Sequence, residues 1–472
     1  MTNDLADVHL AMQVMFVFWV LLVLRIIRAT FARGSVGLPA ALVLTMSFLY
    51  GGCFVYAVPG YTHLRPGGHW YLGKYDITEW LIVKATFASL LGLLGFAIGV
   101  GAFRKLASAQ SARQIRGARM PRDYELAVLT VLGTFALVSY AGNYLRISFP
   151  MSAALFEAGR NLGVVVIGLG AWMAFRDGRS RRLWVVLAAM VPAYYVLLFG
   201  FASYGFLFGI TLLSFWMAQI SDWSRKPLLV RAAWSVGIIW LLLTGFVGWF
   251  SFRDEIRLVI WQNGSGNLLD VLVMAVSQTE LFSLWNFQAL DLVNIRLNLG
   301  LFIGRMIEQH ALFPELQQWG ATLVILPLVL VPRVLWPGKP ARGGSDFMSE
   351  HTGLILSDSA TFGSGTVFEF YINFGYVGVF VGFIAFGMIL AWLDRTAFRH
   401  LREGRLMSFA KVYVIGIVAL DPLLRPFFIV NGAVFAWIIM GMLDFALMRW
   451  LRGLRQRRAR EDRADPLRKQ VQ

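Results

Sequence analysis

Apolar residues dominate this chain in runs near 20 residues, separated by short polar connectors. Candidate membrane spans fall at 8–27, 38–57, 79–103, 124–144, 151–175, 183–200, 203–220, 232–250, 319–336, 368–392, 408–427 and 430–449. Each is long enough to cross a hydrocarbon core of about 30 Å. Backbone polar groups in that medium must be satisfied within the segment, so the spans are expected as helices. The pattern predicts an all-α fold: a polytopic transmembrane bundle of about 11–13 spans.

Charge orients the spans. Arginines and lysines crowd the connectors 104–122, 176–182, 225–231 and 395–405 and the tail from 449 onwards. Cytoplasmic loops collect such charge. The N-terminus is therefore expected outside and the C-terminus inside. The same residues suit an anionic lipid surface, and no aromatic-basic module accompanies them that would favour nucleic acid. The chain divides into spans over 1–250, a large outer, periplasmic loop region over 251–367, spans over 368–449 and a basic cytoplasmic tail over 450–472, expected to be disordered at its end. One crossing at 319–336 cannot join two outside loops, so a re-entrant segment or an extra crossing is expected there. The first run follows Asp4 and Asp7 rather than a basic segment, and reads as a span rather than a cleaved signal.

Composition agrees, at 58% hydrophobic and 15% charged, where soluble domains average about 25% charged. The single cysteine, Cys53, excludes an intrachain disulfide and a multi-cysteine metal site. His-Glu-x-x-His and Asp-x-Asp are absent, and no Walker A loop or dinucleotide fingerprint stands out, so no metal or cofactor is expected.

Although the whole chain carries +16, the region 251–367 holds seven basic residues against ten acidic ones. Its arginines therefore need local reasons, either acidic partners or an anionic ligand. Within it, RVLWPGKPARGGSDFMSEHTG (333–353) joins helix-breaking prolines and glycines to charge. Arg333 and Arg342 can hold a phosphate bidentately, and Lys339 adds a point charge. Glu350, His351 and the nearby Glu369 are candidate proton acceptors. The alternative is an ordered loop whose arginines pair with Asp346 and Glu350. Asp421 and Arg425, four apart in ALDPLLRPFF, are intramembrane ionisable residues and so a functional hypothesis or an internal salt bridge. Arg160 with Glu157 raises the same question, and Arg253, Arg257, Arg296 and Arg305 are weaker candidates. His63, His69 and Arg65 are expected to face water in the first outer loop.

The run Pro332-Arg333-Val-Leu-Trp336-Pro337-Gly-Lys339-Pro340, with Glu369-Phe-Tyr371-Ile-Asn373-Phe374-Gly375-Tyr-Val-Gly378 opening a span, resembles the bacterial O-antigen and exopolysaccharide repeat-unit polymerases of the Wzy type. The resemblance is specific over about 330–380 and matches the remaining chain only in layout. It implies a GT-C-like, metal-independent glycosyltransferase of the inner membrane. Its donor and acceptor would be oligosaccharides on undecaprenyl pyrophosphate, with membrane lipids, a chain-length regulator and a flippase as partners. It implies that Arg333, Lys339, Arg342 and Arg425 contact pyrophosphate, with Arg160, Arg253, Arg257 and Arg296 as further contacts, and that His351, Glu350 or Glu369 takes the acceptor's proton. An O-antigen-ligase-like transferase, a lipid-linked-glycan flippase or exporter, and a non-catalytic scaffold are the alternative readings.

Overall fold

The structure, a computed structural model, describes residues 2–31, 34–68, 77–110, 121–145, 147–149, 152–199, 202–219, 227–261, 268–331, 335–336, 338, 344–356 and 363–469. Its regular elements are all helical. In chain order they are α1 (Thr2–Phe31), α2 (Leu38–Tyr50, continued by a 3-10 turn Gly51–Ala57), α3 (Glu79–Gln110), α4 (Arg122–Tyr144), α5 (Ser152–Asp177), α6 (Arg181–Phe199), α7 (Ala202–Gln219), α8 (Leu228–Trp261), α9 (Leu268–Gln278), α10 (Phe287–Leu297), α11 (Gly300–Leu312), α12 (Ala321–Val324), α13 (Ser345–Thr352), α14 (Gly365–Arg402), α15 (Leu406–Val418) and α16 (Pro426–Lys469).

Eight of these helices among the described residues are long and apolar enough to cross a membrane: α1, α2 with its 3-10 turn, α3, α4, α5, the middle of α8, α14 and α16. Helices α7 and α15 are apolar but shorter. The molecule is thus a polytopic helical bundle. Its spans are not equally placed: 78% of the α5 window is buried but only 22% of that of α1 and 17% of that of α8. Helix α5 is therefore interior, while α1 and α8 are peripheral and present their apolar side chains outwards.

Two of the expected spans are corrected. No continuous helix occupies 319–336. A single turn, α12, follows Gly320 at φ 92, and a 3-10 segment Leu326–Leu330 follows it. Pro327 at the head of that segment blocks a regular span. The apolar run 408–427 is also interrupted: α15 ends at Val418, residues 419–425 form a turn containing Pro422, and α16 begins at Pro426. Asp421 and Arg425 therefore lie in a turn rather than on one helix. The basic tail continues α16 as helix to Lys469, and its last three residues, 470–472, where disorder is expected, lie outside the described residues.

Helices α3 and α14 lie side by side in the same direction, and small residues let their backbones meet. A methyl group at Gly95 would run into Phe380 O, at Gly99 into Ile384 O, and at Gly387 into Phe96 O. Such close crossings replace the hydrophobic drive that is missing between helices in lipid with dispersion contacts. The pairing is pinned where the basic connectors gather. Asp394 Oδ1 accepts from Ser35 Oγ at 2.8 Å and from the backbone N–H groups of Val36, Gly37 and Leu38 at 3.1, 3.0 and 3.0 Å. A carboxylate on α14 thus caps the N-terminus of α2, and Arg104 of α3 lies 3.9 Å from its other oxygen.

At the opposite end, the short helices α10–α13 form a lid over the starts of α3 and α14. Gly304 of α11 lies against Leu81, and Gly52 against the backbone of Leu297. A buried polar network binds this lid. Arg65 donates to Asp291 Oδ2 at 2.6 Å, Tyr61 OH to Asp291 Oδ1 at 2.9 Å, and Asn294 Nδ2 to the hydroxyls of Tyr56 and Tyr61 at 2.9 and 3.0 Å. His63 is part of it, bonded to Tyr56 OH at 2.8 Å and Ile77 O at 2.9 Å. This corrects the expectation that His63 and Arg65 merely face water. His69 lies outside the described residues.

We expect Gly99→Leu to lower stability by at least about 1–3 kcal/mol, because the α3–α14 contact has no room for a side chain. Gly101→Ala, with nothing near its added methyl, is expected to be neutral or to stabilise by up to about 1 kcal/mol. Thermal unfolding in detergent checks both; equal behaviour of the two variants would mean the contact is not tight.

Candidate functional site

Helix α14 is broken near its start. Phe374 (φ −145, ψ 23) and Gly375 (φ 59, ψ −149) leave helical geometry, and the second conformation is one only glycine adopts easily. Just before the break, Ile372 O accepts from Gln318 N and Tyr371 O from Gln317 Nε2, and the Asn373 side chain adds three bonds. Its Oδ1 accepts from Gly320 N at 2.9 Å, and its Nδ2 donates to Thr322 Oγ1 and Glu369 O at 2.7 Å each. Gln318 N donates to Ile372 O at 2.8 Å. The irregular 318–322 segment is thereby fastened to the broken helix.

The first turns of α14 also dock on the turn that precedes α16. Gly365 N donates to Leu423 O at 3.1 Å and Thr366 Oγ1 to Leu424 O at 3.0 Å. Asp421 shapes that turn by accepting from Leu423 N at 3.0 Å. Docking brings Glu369, fully buried, to Arg425. Arg425 Nε lies 2.6 Å from Glu369 Oε2 and Nη2 lies 3.3 Å from Oε1. The guanidinium also lies over the Phe347 ring, 3.6 Å from its centre. A carboxylate and an aromatic face thus fix its plane, and Nη1 takes no hydrogen bond among the described residues.

His351, on α13, packs edge-on against Phe347 with ring centres 4.7 Å apart. Its Nδ1 lies 3.1 Å from His310 Nε2, and His310 Nδ1 lies 3.5 Å from Gln317 Oε1. Gln317 Nε2 donates to Tyr371 O at 3.3 Å, closing the chain back onto α14. Burial, His310 and the Arg425 charge push the His351 imidazole down to about 4, and burial lowers His310 as well. Both rings are neutral at ordinary pH.

Of the residues expected to act together, the structure brings together Glu369, Arg425 and His351. Arg333, Lys339 and Arg342 lie outside the described residues. A described neighbour of theirs, Trp336, meets Phe427 two residues from Arg425, with ring centres 6.4 Å apart. Glu350 is exposed on α13. Arg160 lies elsewhere, on α5, 4.2 Å from the centre of the Tyr204 ring and 3.9 Å from Glu157. Arg253 and Arg296 form a separate group, 5.1 and 5.0 Å from the centre of the Phe250 ring, with Arg253 paired to Asp254 at 3.2 Å. The side chain of Arg257 is outside the described residues, and Arg305 pairs with Glu308. Sequence reasoning missed His310, Gln317 and Phe347. A lone histidine in IEQHAL carries no local signal, and only tertiary packing brings it to His351.

Comparison of the chain with family models, curated proteins and solved structures returned no match.

Removing Glu369 leaves a largely buried guanidinium without its counter-charge, so Glu369→Leu is expected to cost about 3–5 kcal/mol. Joined with Arg425→Met it should cost less than the sum by at least about 1 kcal/mol. A double-mutant unfolding cycle measures this, and strict additivity would show the two are uncoupled. A pH dependence follows from the depressed histidines. In the unfolded chain they protonate near 6.5. The stability tied to their neutral forms is therefore whole above about pH 6.5 and is lost as pH falls towards 4. Unfolding followed from pH 8 to 4 should steepen in that window in the wild type and less in His351→Gln; identical slopes would remove His351 as a cause.

Proposed function

We propose that this chain is a polysaccharide polymerase of the Wzy type. It joins oligosaccharide repeat units carried on undecaprenyl pyrophosphate by metal-independent glycosyl transfer within a GT-C-like bundle. The observation that carries the proposal is Arg425. Its cation is held rigidly by Glu369 and Phe347, with one nitrogen left over, at an irregular break in a membrane bundle.

The reaction has a direct reading in these residues. A hydroxyl of the acceptor glycan attacks the anomeric carbon of the donor. The bond from that carbon to the pyrophosphate oxygen breaks, and the electron pair leaves with the pyrophosphate. A preplaced guanidinium meets that charge, a kind of contact worth about 3 kcal/mol when it is dry. The hydroxyl proton passes to His351, whose lone pair is unprotonated at neutral pH. Glu369, fully buried against Arg425, serves as its orienting partner rather than as the base. Arg333, Lys339 and Arg342 lie outside the described residues and enter this proposal only through their place in the sequence next to Trp336, which meets Phe427.

The bundle end that gathers the described basic connectors is assigned to the cytoplasm by the positive-inside rule. The lid of short helices and Arg425 then face the periplasm, where lipid-linked repeat units are joined, with the chain in the inner membrane of a bacterium.

Purified protein in nanodiscs, given its native lipid-linked repeat unit and no nucleotide, should produce a ladder spaced by one repeat unit on a gel. Arg425→Ala should remain inserted and lose the ladder by about 100-fold or more. A single transferred glycan without a ladder would move the assignment to a ligase, and full activity of Arg425→Ala would remove that residue from the site. A chelator should leave the ladder intact, and loss restored by a divalent cation would overturn the metal-independent reading.

A further inference from the structure

The hydrogen-bond chain behind His351 has only one consistent proton order. Gln317 is the starting point. A backbone carbonyl only accepts, so the group facing Tyr371 O at 3.3 Å is the Gln317 amide nitrogen. The amide oxygen therefore faces His310 Nδ1, 3.5 Å away. An amide oxygen also only accepts, so His310 carries its proton on Nδ1. A neutral imidazole has one N–H, which leaves a lone pair on His310 Nε2. That lone pair faces His351 Nδ1 at 3.1 Å, so His351 Nδ1 carries the proton of its own ring. The remaining nitrogen, His351 Nε2, is a bare acceptor and takes no hydrogen bond among the described residues.

We propose that Gln317 and His310 are positioning residues which lock His351 in its Nδ1–H tautomer, so that Nε2 is presented as the acceptor for the hydroxyl proton of the incoming glycan. The proposal rests on the glycosyl-transfer reading for what Nε2 does, but not for which nitrogen carries the proton. Free imidazole side chains prefer the opposite tautomer, with the proton on Nε2. Such a ring would turn a donor towards the substrate hydroxyl and could not take its proton. The chain therefore does for His351 what an orienting carboxylate does for a catalytic histidine, with neutral groups throughout. Neutral partners suit this place. A carboxylate behind His310 would need its own counter-charge in a buried setting, whereas an amide and a second imidazole leave the Arg425 charge matched by Glu369 alone. The geometry also explains why the chain ends on Tyr371 O. That carbonyl belongs to the two turns of α14 before the break at Phe374 and Gly375, so the helix that supplies Glu369 to Arg425 also orders the protons behind His351.

The chain contains six histidines, few enough for nitrogen NMR of protein labelled at the imidazole rings. Signals of His351 are assigned by their absence in His351→Gln. In the wild type at neutral pH, Nδ1 of His351 should show the protonated and Nε2 the unprotonated signature. His310→Leu should convert His351 to the Nε2–H form and lower turnover by about 100-fold or more. His310→Gln places an amide oxygen where His310 Nε2 lies, and should restore both the tautomer and most of the turnover. Gln317→Leu should mix the two tautomers. A wild-type His351 already in the Nε2–H form overturns the proposal, and so does a tautomer unchanged in His310→Leu. If the wild type shows the Nδ1–H form but makes no ladder from its native repeat unit, the positioning role stands and the glycosyl-transfer reading falls.

Discussion

A carboxylate shut away from water must be met by a cation or by donors, and helix α14 carries two of them. Glu369 lies near its start and Asp394 lies 25 residues further on, both almost without solvent contact. At one end the answer is a guanidinium from the turn before α16. At the other it is the N-terminus of α2, supported at longer range by Arg104. Neither carboxylate can be left alone, because desolvating an unpaired charge costs several kcal/mol. Each therefore dictates where a distant piece of chain must sit. The glycine-lined contact with α3 fills the distance between them, and the result is an axial strut to which both ends of the bundle are tied.

The same constraint explains why the strut is broken where it is. A continuous helix through Phe374 and Gly375 would satisfy its own backbone and need nothing from the lid. Before the break, Tyr371 O and Ile372 O take their donors from Gln317 and Gln318, and the Asn373 amide bonds Gly320, Thr322 and Glu369. The segment 318–322 is thereby held at the site without being a span. Irregular backbone at membrane depth survives only when such partners exist. The polar cluster of Arg425, Phe347, His351, His310 and Gln317 is built on that fastening.

Much of this was legible in the sequence. The apolar runs give the helices, because in lipid no other local structure closes its own hydrogen bonds. Glu369, Arg425 and His351 could be picked out as ionisable groups in unfavourable surroundings. Their grouping was not legible. The distance in sequence between Glu369 and Arg425 matches no helical spacing, whereas Asp421 and Arg425 do match one and misled. The prolines at 327 and 422 sit inside runs whose hydropathy alone says span, and backbone geometry overrides the average there. His310 and Gln317 look like ordinary residues of a short amphipathic helix and its exit. What singles them out is a partner 41 residues away for the first and a carbonyl 54 residues away for the second.

The intimate α3–α14 contact has a consequence for how the protein is made. Helix α3 emerges early from synthesis and α14 late, with more than half of the chain between them. Until α14 arrives, the glycine face of α3 has no partner, the N-terminus of α2 lacks the carboxylate that caps it, and Arg425 has not been made. The glycine face of α3 therefore stays unmatched until α14 is made. The Glu369–Arg425 pair is among the last features to assemble, and a chain stopped before Arg425 lacks it.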